Sequence, residues 1–145
     1  MRHALEQARE AYNRGEIPVG AIVVHNGKII ARAHNEKESC QDATAHAELL
    51  AIQRATRHLG HWRLSESILY CTLEPCAMCA GAMVNARLGC LVYGVTDPKA
   101  GSAGSIYDIV RSPALNHQVL VEGGVLKEEC SELLKRFFAN LRRDG

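Results

Sequence analysis

Apolar residues near the start of the chain recur every three to four positions. Ala4, Leu5, Ala8, Ala11 and Tyr12 form one stripe, which predicts a helix over residues 2–14 ended by Gly15. Residues 19–25 then read as a strand. The Asn26-Gly27 pair that follows is the strongest short hairpin signal, so residues 28–35 are the antiparallel return. Residues 36–43 are a polar loop. Thr44 is a good N-cap for a helix reaching about Leu59, with Ala47, Leu50, Ala51 and Ala55 on its inner face. Residues 67–73 are almost continuously apolar, the pattern of a strand covered on both faces. Pro75 opens a second helix to about Ala86, and residues 88–95 form the next strand. Such a strand–helix–strand unit predicts a right-handed parallel crossover. A Gly- and Ser-rich loop over 96–105 leads to a short helical piece at 106–111 and a last strand at 118–122. The final helix covers about 126–142, with Leu126, Cys130, Leu133, Phe137 and Leu141 on one stripe. The order of elements predicts one α/β domain over residues 1–145, a three-layer α/β/α arrangement around a mixed five-stranded sheet.

Composition narrows the class. The 145 residues are 47% hydrophobic and 23% charged, enough for one core in a soluble protein. The apolar runs are too short to cross a bilayer, and the first residues lack the apolar stretch of a secretory signal, so the expected location is the cytoplasm. A net charge of +1 exerts no global pull on nucleic acid. RNA contact would have to come from local patches, of which Lys135-Arg136 and Arg142-Arg143 are the visible ones; a solvated helix end explains them equally well. Six cysteines in a cytosolic protein do not imply a disulfide framework. Cys71 and Cys90 lie in apolar runs as small core residues, Cys40 lies in a polar stretch, and Cys76 and Cys79 form a close pair suited to metal or redox chemistry.

Two motifs carry chemistry. His46-Ala47-Glu48 and Pro75-Cys76-Ala77-Met78-Cys79 both fall at predicted helix starts. Free N–H groups and the dipole there favour thiolate over thiol, and thiolate is the form that binds zinc. Cys76 and Cys79 stand at i and i+3, on one helix face. With His46 they make three ligands for one Zn2+ per chain, leaving a fourth position for water, the pattern of a catalytic zinc. The metal would bring that water's pKa to roughly 7. Glu48 points away from the chelating direction of His46 but can reach the water, take its proton and pass it to a leaving amine. Either motif alone is weak; together, with proline before the first cysteine, they match the signature of zinc nucleobase deaminases. A zinc that merely ties two helices together is the structural alternative. The remaining histidines His3, His25, His58, His61 and His117 read as surface or structural.

The agreement extends beyond the metal motifs. Glu16-Ile17-Pro18-Val19-Gly20-Ala21, Asp42 to Glu48, Thr72 to Met83, the loop Asp97 to Ser105, Asn116-His117 and Phe137-Phe138 together resemble the bacterial tRNA-specific adenosine deaminases, within the cytidine deaminase-like zinc enzymes, over nearly the whole chain. The resemblance implies hydrolytic deamination of adenosine to inosine at the wobble position of a tRNA anticodon, with release of ammonia. It implies a tRNA anticodon loop as partner, and a homodimer with each site near the subunit interface. By motif, His46, Cys76 and Cys79 would hold zinc and Glu48 would shuttle the proton. Asn35 matches an asparagine that contacts the target base, and Asp97 matches a loop acid near the RNA. A turn-forming role for Asn35 and a loop-capping role for Asp97 stay open on the residues alone. Ala43 stands where proline is common and His34 where an aromatic is common. The chain starts at the first helix and stops soon after Arg143, so terminal RNA contacts of longer members are expected to be missing. Two other functions fit the same motifs: deamination of a free base or nucleotide, and a non-catalytic zinc-held RNA-binding module. Glu48 speaks against the last.

Overall fold

In the computed structural model, which describes residues 1–144, the amphipathic first segment forms α1 (Arg2–Asn13) and buries Ala4, Leu5, Ala8 and Ala11. Strand β1 (Gly20–His25) and strand β2 (Lys28–His34) form the hairpin that Asn26-Gly27 announces. Both turn residues have positive φ, 50° and 75°, as a two-residue turn between twisted strands requires. The ladder shifts register between Val23 and Val24, a bulge that no residue pattern signals. Helix α2 (Ala47–Leu59) follows, then β3 (Ser67–Leu73), α3 (Ala77–Asn85), β4 (Cys90–Val95), β5 (Leu120–Glu122) and α4 (Lys127–Asp144).

The sheet order is β2-β1-β3-β4-β5. β1 pairs antiparallel with both β2 and β3, whereas β3–β4 and β4–β5 are parallel. This is the mixed five-stranded sheet expected. Helix α1 packs on β1 and β2 and touches α4, while α2 packs on the same strands and touches α3. The helices therefore pair off as two layers, one on each face. Ala21, Val23, Leu69 and Cys71 of the sheet meet Ala47, Ala51, Ala80 and Met83 of the α2–α3 layer in one core. Small residues dominate there, so helices and sheet approach closely.

Several predicted boundaries shift for identifiable reasons. Thr44 is not the N-cap of α2: its N–H and hydroxyl both donate to Asp42 Oδ1, closing a local turn, and extended His46 precedes the first helical residue. Residues 106–111 do not form a helix. The N–H groups of Ile106 and Tyr107 go to Gly101 O, and Ala103 bridges to Asp108. The strand at 88–95 starts only at Cys90, because Leu88 N–H bonds to Met83 O and Gly89 N–H to Leu64 O. Gln118 turns its amide back to Ser112 and Leu115, leaving a last strand of Leu120–Glu122. Leu126, at φ 53°, lies before α4 instead of in it.

Candidate active site

The carboxyl ends of β2, β3 and β4 lie together at one end of the sheet, the usual place for a site in an α/β fold. β2 runs out into Asn35, β3 into Glu74-Pro75-Cys76, and β4 into the loop that begins near Asp97. The first turns of α2 and α3 open onto the same place. His46 and Cys76 are the extended residues immediately before those helices, and Cys79 is in the first turn of α3.

His46, Cys76 and Cys79 form a cluster whose ligand atoms all lie within 4.8 Å of one another. Nδ1 of His46 is 3.6 Å from Cys76 Sγ and 3.7 Å from Cys79 Sγ. A tetrahedral zinc with ordinary Zn–N and Zn–S bonds separates nitrogen from sulfur by about 3.6 Å, so the three donors suit one such ion. Among the described residues no fourth His, Cys, Asp or Glu joins the cluster. The hydrogen bond from Cys79, then that from His46, holds Cys76 far below the ordinary thiol range, while the same bond and burial push Cys79 up. The contact with Cys76 also raises His46. The cluster thus holds protons that a metal ion must displace.

Glu48 stands beside the cluster in the first turn of α2, only 4% exposed. Burial pushes its carboxyl up to about 7, against the opposing field of His46. Among the described residues all buried side-chain polar atoms have partners. The pocket in front of Glu48 measures about 520 Å³ and includes Asn35, His46, Cys76 and Asp97. Phe138 and Leu141 of α4, with Ile17, give it an apolar rim. Helix α4 is held over the pocket by an edge-on contact of Phe137 with Tyr12 and by Asn140, whose amide donates to the Tyr12 hydroxyl.

Asn35 does two things at once. Its Oδ1 accepts the Ala47 N–H at 2.9 Å, satisfying the first helical donor of α2 from a neighbouring strand. The residue also lines the pocket, and its oxygen being taken leaves the NH2 as the group it can offer there. Asp97 uses Oδ1 to accept the N–H groups of Lys99 and Ala100, so it does cap its own loop while lining the pocket. His34 is buried and donates Nδ1–H to Asn35 O.

Two acids that sequence reasoning passed over hold the pocket's loops. Glu16, 2% exposed, accepts the N–H of Glu38 and the N–H and hydroxyl of Ser39. Glu74 does the same for the loop after β4. Burial acts to raise both carboxyls, but the hydrogen bonds outweigh it and hold each below the usual glutamate range. Their sequence signal was only their place inside matching segments. All six cysteines are free thiols; Cys40 is exposed, Cys71 buried and Cys90 half-buried. Among the described residues no helix is long and apolar enough to cross a membrane.

The MafB19-like deaminase family matches residues 1–142. The tRNA-specific adenosine deaminase of Bacillus subtilis (strain 168) is 48% identical over 143 residues, covering 99% of this chain and 89% of the relative. A solved structure from work on A-to-I editing by tRNA:A34 deaminases at the wobble position of transfer RNA superposes with a TM-score of 0.89 at 42% identity, covering 92% of this chain and 97% of the other. Guanine deaminase from Nitrosomonas europaea is more distant, with a TM-score of 0.79 at 25% identity over 95% and 82% of the two chains.

Proposed function

This chain belongs to the MafB19-like deaminase family and to the tRNA-specific adenosine deaminases, and we propose that its site converts adenosine to inosine at the wobble position of a tRNA anticodon. The observation that carries the chemistry is one buried carboxylate, Glu48, set beside a three-donor cluster spaced for a single metal ion. His46 Nδ1, Cys76 and Cys79 would hold Zn2+, which when bound supplies water acidified to near neutral pH as the nucleophile.

The remaining work falls to the chain's own residues. Glu48 takes a proton from water and delivers it to the ring nitrogen next to the attacked carbon, then takes the second proton from the newly added hydroxyl and delivers it to the departing amine. The balance is adenosine plus water giving inosine plus ammonia. Burial favours the protonated form of this carboxyl and a bound dication favours the carboxylate, so the site supports both halves of that transfer. The NH2 of Asn35, its oxygen already committed to Ala47, donates to an acceptor on the base. Asp97 retains a free carboxylate oxygen and accepts from a sugar hydroxyl. The base reaches the pocket by leaving its stack in the anticodon loop, and the rim of Ile17, Phe138 and Leu141 covers apolar surface around it. The family resemblance supports a homodimer, and the tRNA-modifying relatives are consistent with the cytoplasmic setting expected from the sequence.

The test is to incubate the zinc-loaded protein with an anticodon stem-loop RNA, and separately with free guanine, free adenine and cytidine. Inosine at the wobble position, with no comparable turnover of the free compounds, is expected. Turnover of a free base without inosine in the RNA would refute the substrate assignment.

A further inference from the structure

We propose that Glu74 is a positioning residue that locks the Asp97–Ser105 loop, and with it Asp97, to the segment carrying Cys76. The metal side and the RNA-facing side of the pocket are then one rigid piece. This rests on the deaminase reading above.

Glu74 sits between the end of β3 and Pro75, and it is 1% exposed. Each of its carboxylate oxygens is spent on the same loop. Oε1 accepts the Asp97 N–H at 3.0 Å and the Ser105 hydroxyl. Oε2 accepts the Ala103 N–H at 2.9 Å and the Ser105 N–H at 3.1 Å. Its own N–H donates to Val95 O at 2.9 Å, so it grips the end of β4 as well. The loop also reaches back: Ser102 N–H donates to Pro75 O at 2.8 Å, one residue before Cys76. Gly101 lies so close that a Cβ there would collide with the Glu74 carboxylate and with Asp97 O.

Among the described residues no cation lies within salt-bridge distance of Glu74. With no cation beside it, the carboxylate is held by N–H and O–H dipoles alone, and these outweigh the burial that opposes its charge. What such a group supplies is geometry, since four convergent donors admit one loop conformation. That conformation sets the Asp97 backbone, and the bonds from Lys99 and Ala100 then fix the Asp97 side chain on it. Glu74 borders the pocket, but both its oxygens are taken by the loop, so it acts on substrate through Asp97.

The test uses zinc-loaded full-length protein and the anticodon stem-loop. Glu74→Gln keeps the size but replaces one acceptor oxygen with an NH2 that must face at least one backbone N–H. KM for the RNA is expected to rise on the order of tenfold to a hundredfold, with zinc content unchanged and kcat changed less. Because Glu74 acts through Asp97, the double variant Glu74→Gln/Asp97→Ala should be no worse than the poorer single variant. Ser105→Ala removes only the hydroxyl's bond and should shift KM in the same direction; it carries the test if Glu74→Gln does not fold. Wild-type KM in Glu74→Gln or, where that variant is unfolded, in Ser105→Ala overturns the proposal. So do additive effects in the double variant, or a loss of zinc in place of the rise in KM. If wild-type protein makes no inosine, the functional reading itself fails, and this inference with it. If wild type turns over and Glu74→Gln matches it, this inference alone fails.

Discussion

Replacing Glu48 with glutamine should remove turnover and, in protein stripped of metal, increase stability. Glu48 is 4% exposed, and burial raises its pKa from 4.5 to about 7. A carboxyl with a higher pKa folded than unfolded holds its proton more tightly in the folded state, so its ionisation opposes folding. The opposition is absent below the unfolded value of 4.5, grows as pH rises towards 7, and is constant above it. At pH 7 and above the difference corresponds to roughly 3 kcal/mol. Glutamine fills the same space without ionising. Denaturant unfolding of chelator-treated wild type and Glu48→Gln between pH 4 and 8 would measure the gap. It should open from near zero at the acid end to roughly 3 kcal/mol at the alkaline end. Restoring zinc should narrow it, because a dication stabilises the wild-type carboxylate. The zinc-loaded variant should keep its metal and lose about 10² to 10⁴ in kcat on the anticodon stem-loop. A variant no more stable than wild type at pH 8, or a gap independent of pH, would refute the burial argument. Turnover within tenfold of wild type would refute the proton role.

Asn35→Ala leaves the Ala47 N–H without its acceptor and should cost about 1–3 kcal/mol in denaturant unfolding. Asn35→Asp keeps the acceptor and most of the stability but loses the NH2 donor, so both variants should lower kcat/KM; wild-type stability in Asn35→Ala would contradict this. The Glu16 carboxylate is held below the usual glutamate value of 4.5 by Ser39 and Glu38, so its contribution is present above that pH and lost as pH falls through the folded value. Thermal unfolding at several pH values should show wild type more stable than Glu16→Gln near neutrality, with the difference closing in acid; a constant difference would count against the bonds. Chelation should abolish turnover and about one zinc per chain should restore it. Zinc binding must displace protons held by His46 and Cys79, so competition titrations should give weaker affinity as pH falls, and pH-independent affinity would argue against these ligands.

Order and type of the main elements were legible because their signals are local. Asn26-Gly27 needs only its own backbone to turn, and the α1 stripe needs only a 3.6-residue period. Pro75 marks the start of α3 to within two residues. The segments whose bounds differ have hydrogen bonds that no residue type announces, some made to irregular local partners and some to residues far along the chain. Residues 106–111 have helix-compatible residues, but their neighbours' N–H groups are drawn to Glu74, some thirty positions earlier. Thr44 is a good cap by type, yet Asp42 takes its hydroxyl and Asn35, twelve positions away, serves Ala47 instead.

The sequence by itself determined the reaction class, because His46, Glu48, Cys76 and Cys79 declare their chemistry by residue type and spacing. It also determined the α/β order, because hydrophobic period is a property of consecutive residues. Only the tertiary structure decided that Asn35 caps α2 while lining the pocket, and that Glu16 and Glu74 anchor loops. Only it placed Phe138 and Leu141 over the site through Tyr12. Each of these depends on which donor or aromatic ring comes within reach across the sheet, and contact between distant segments has no period to read.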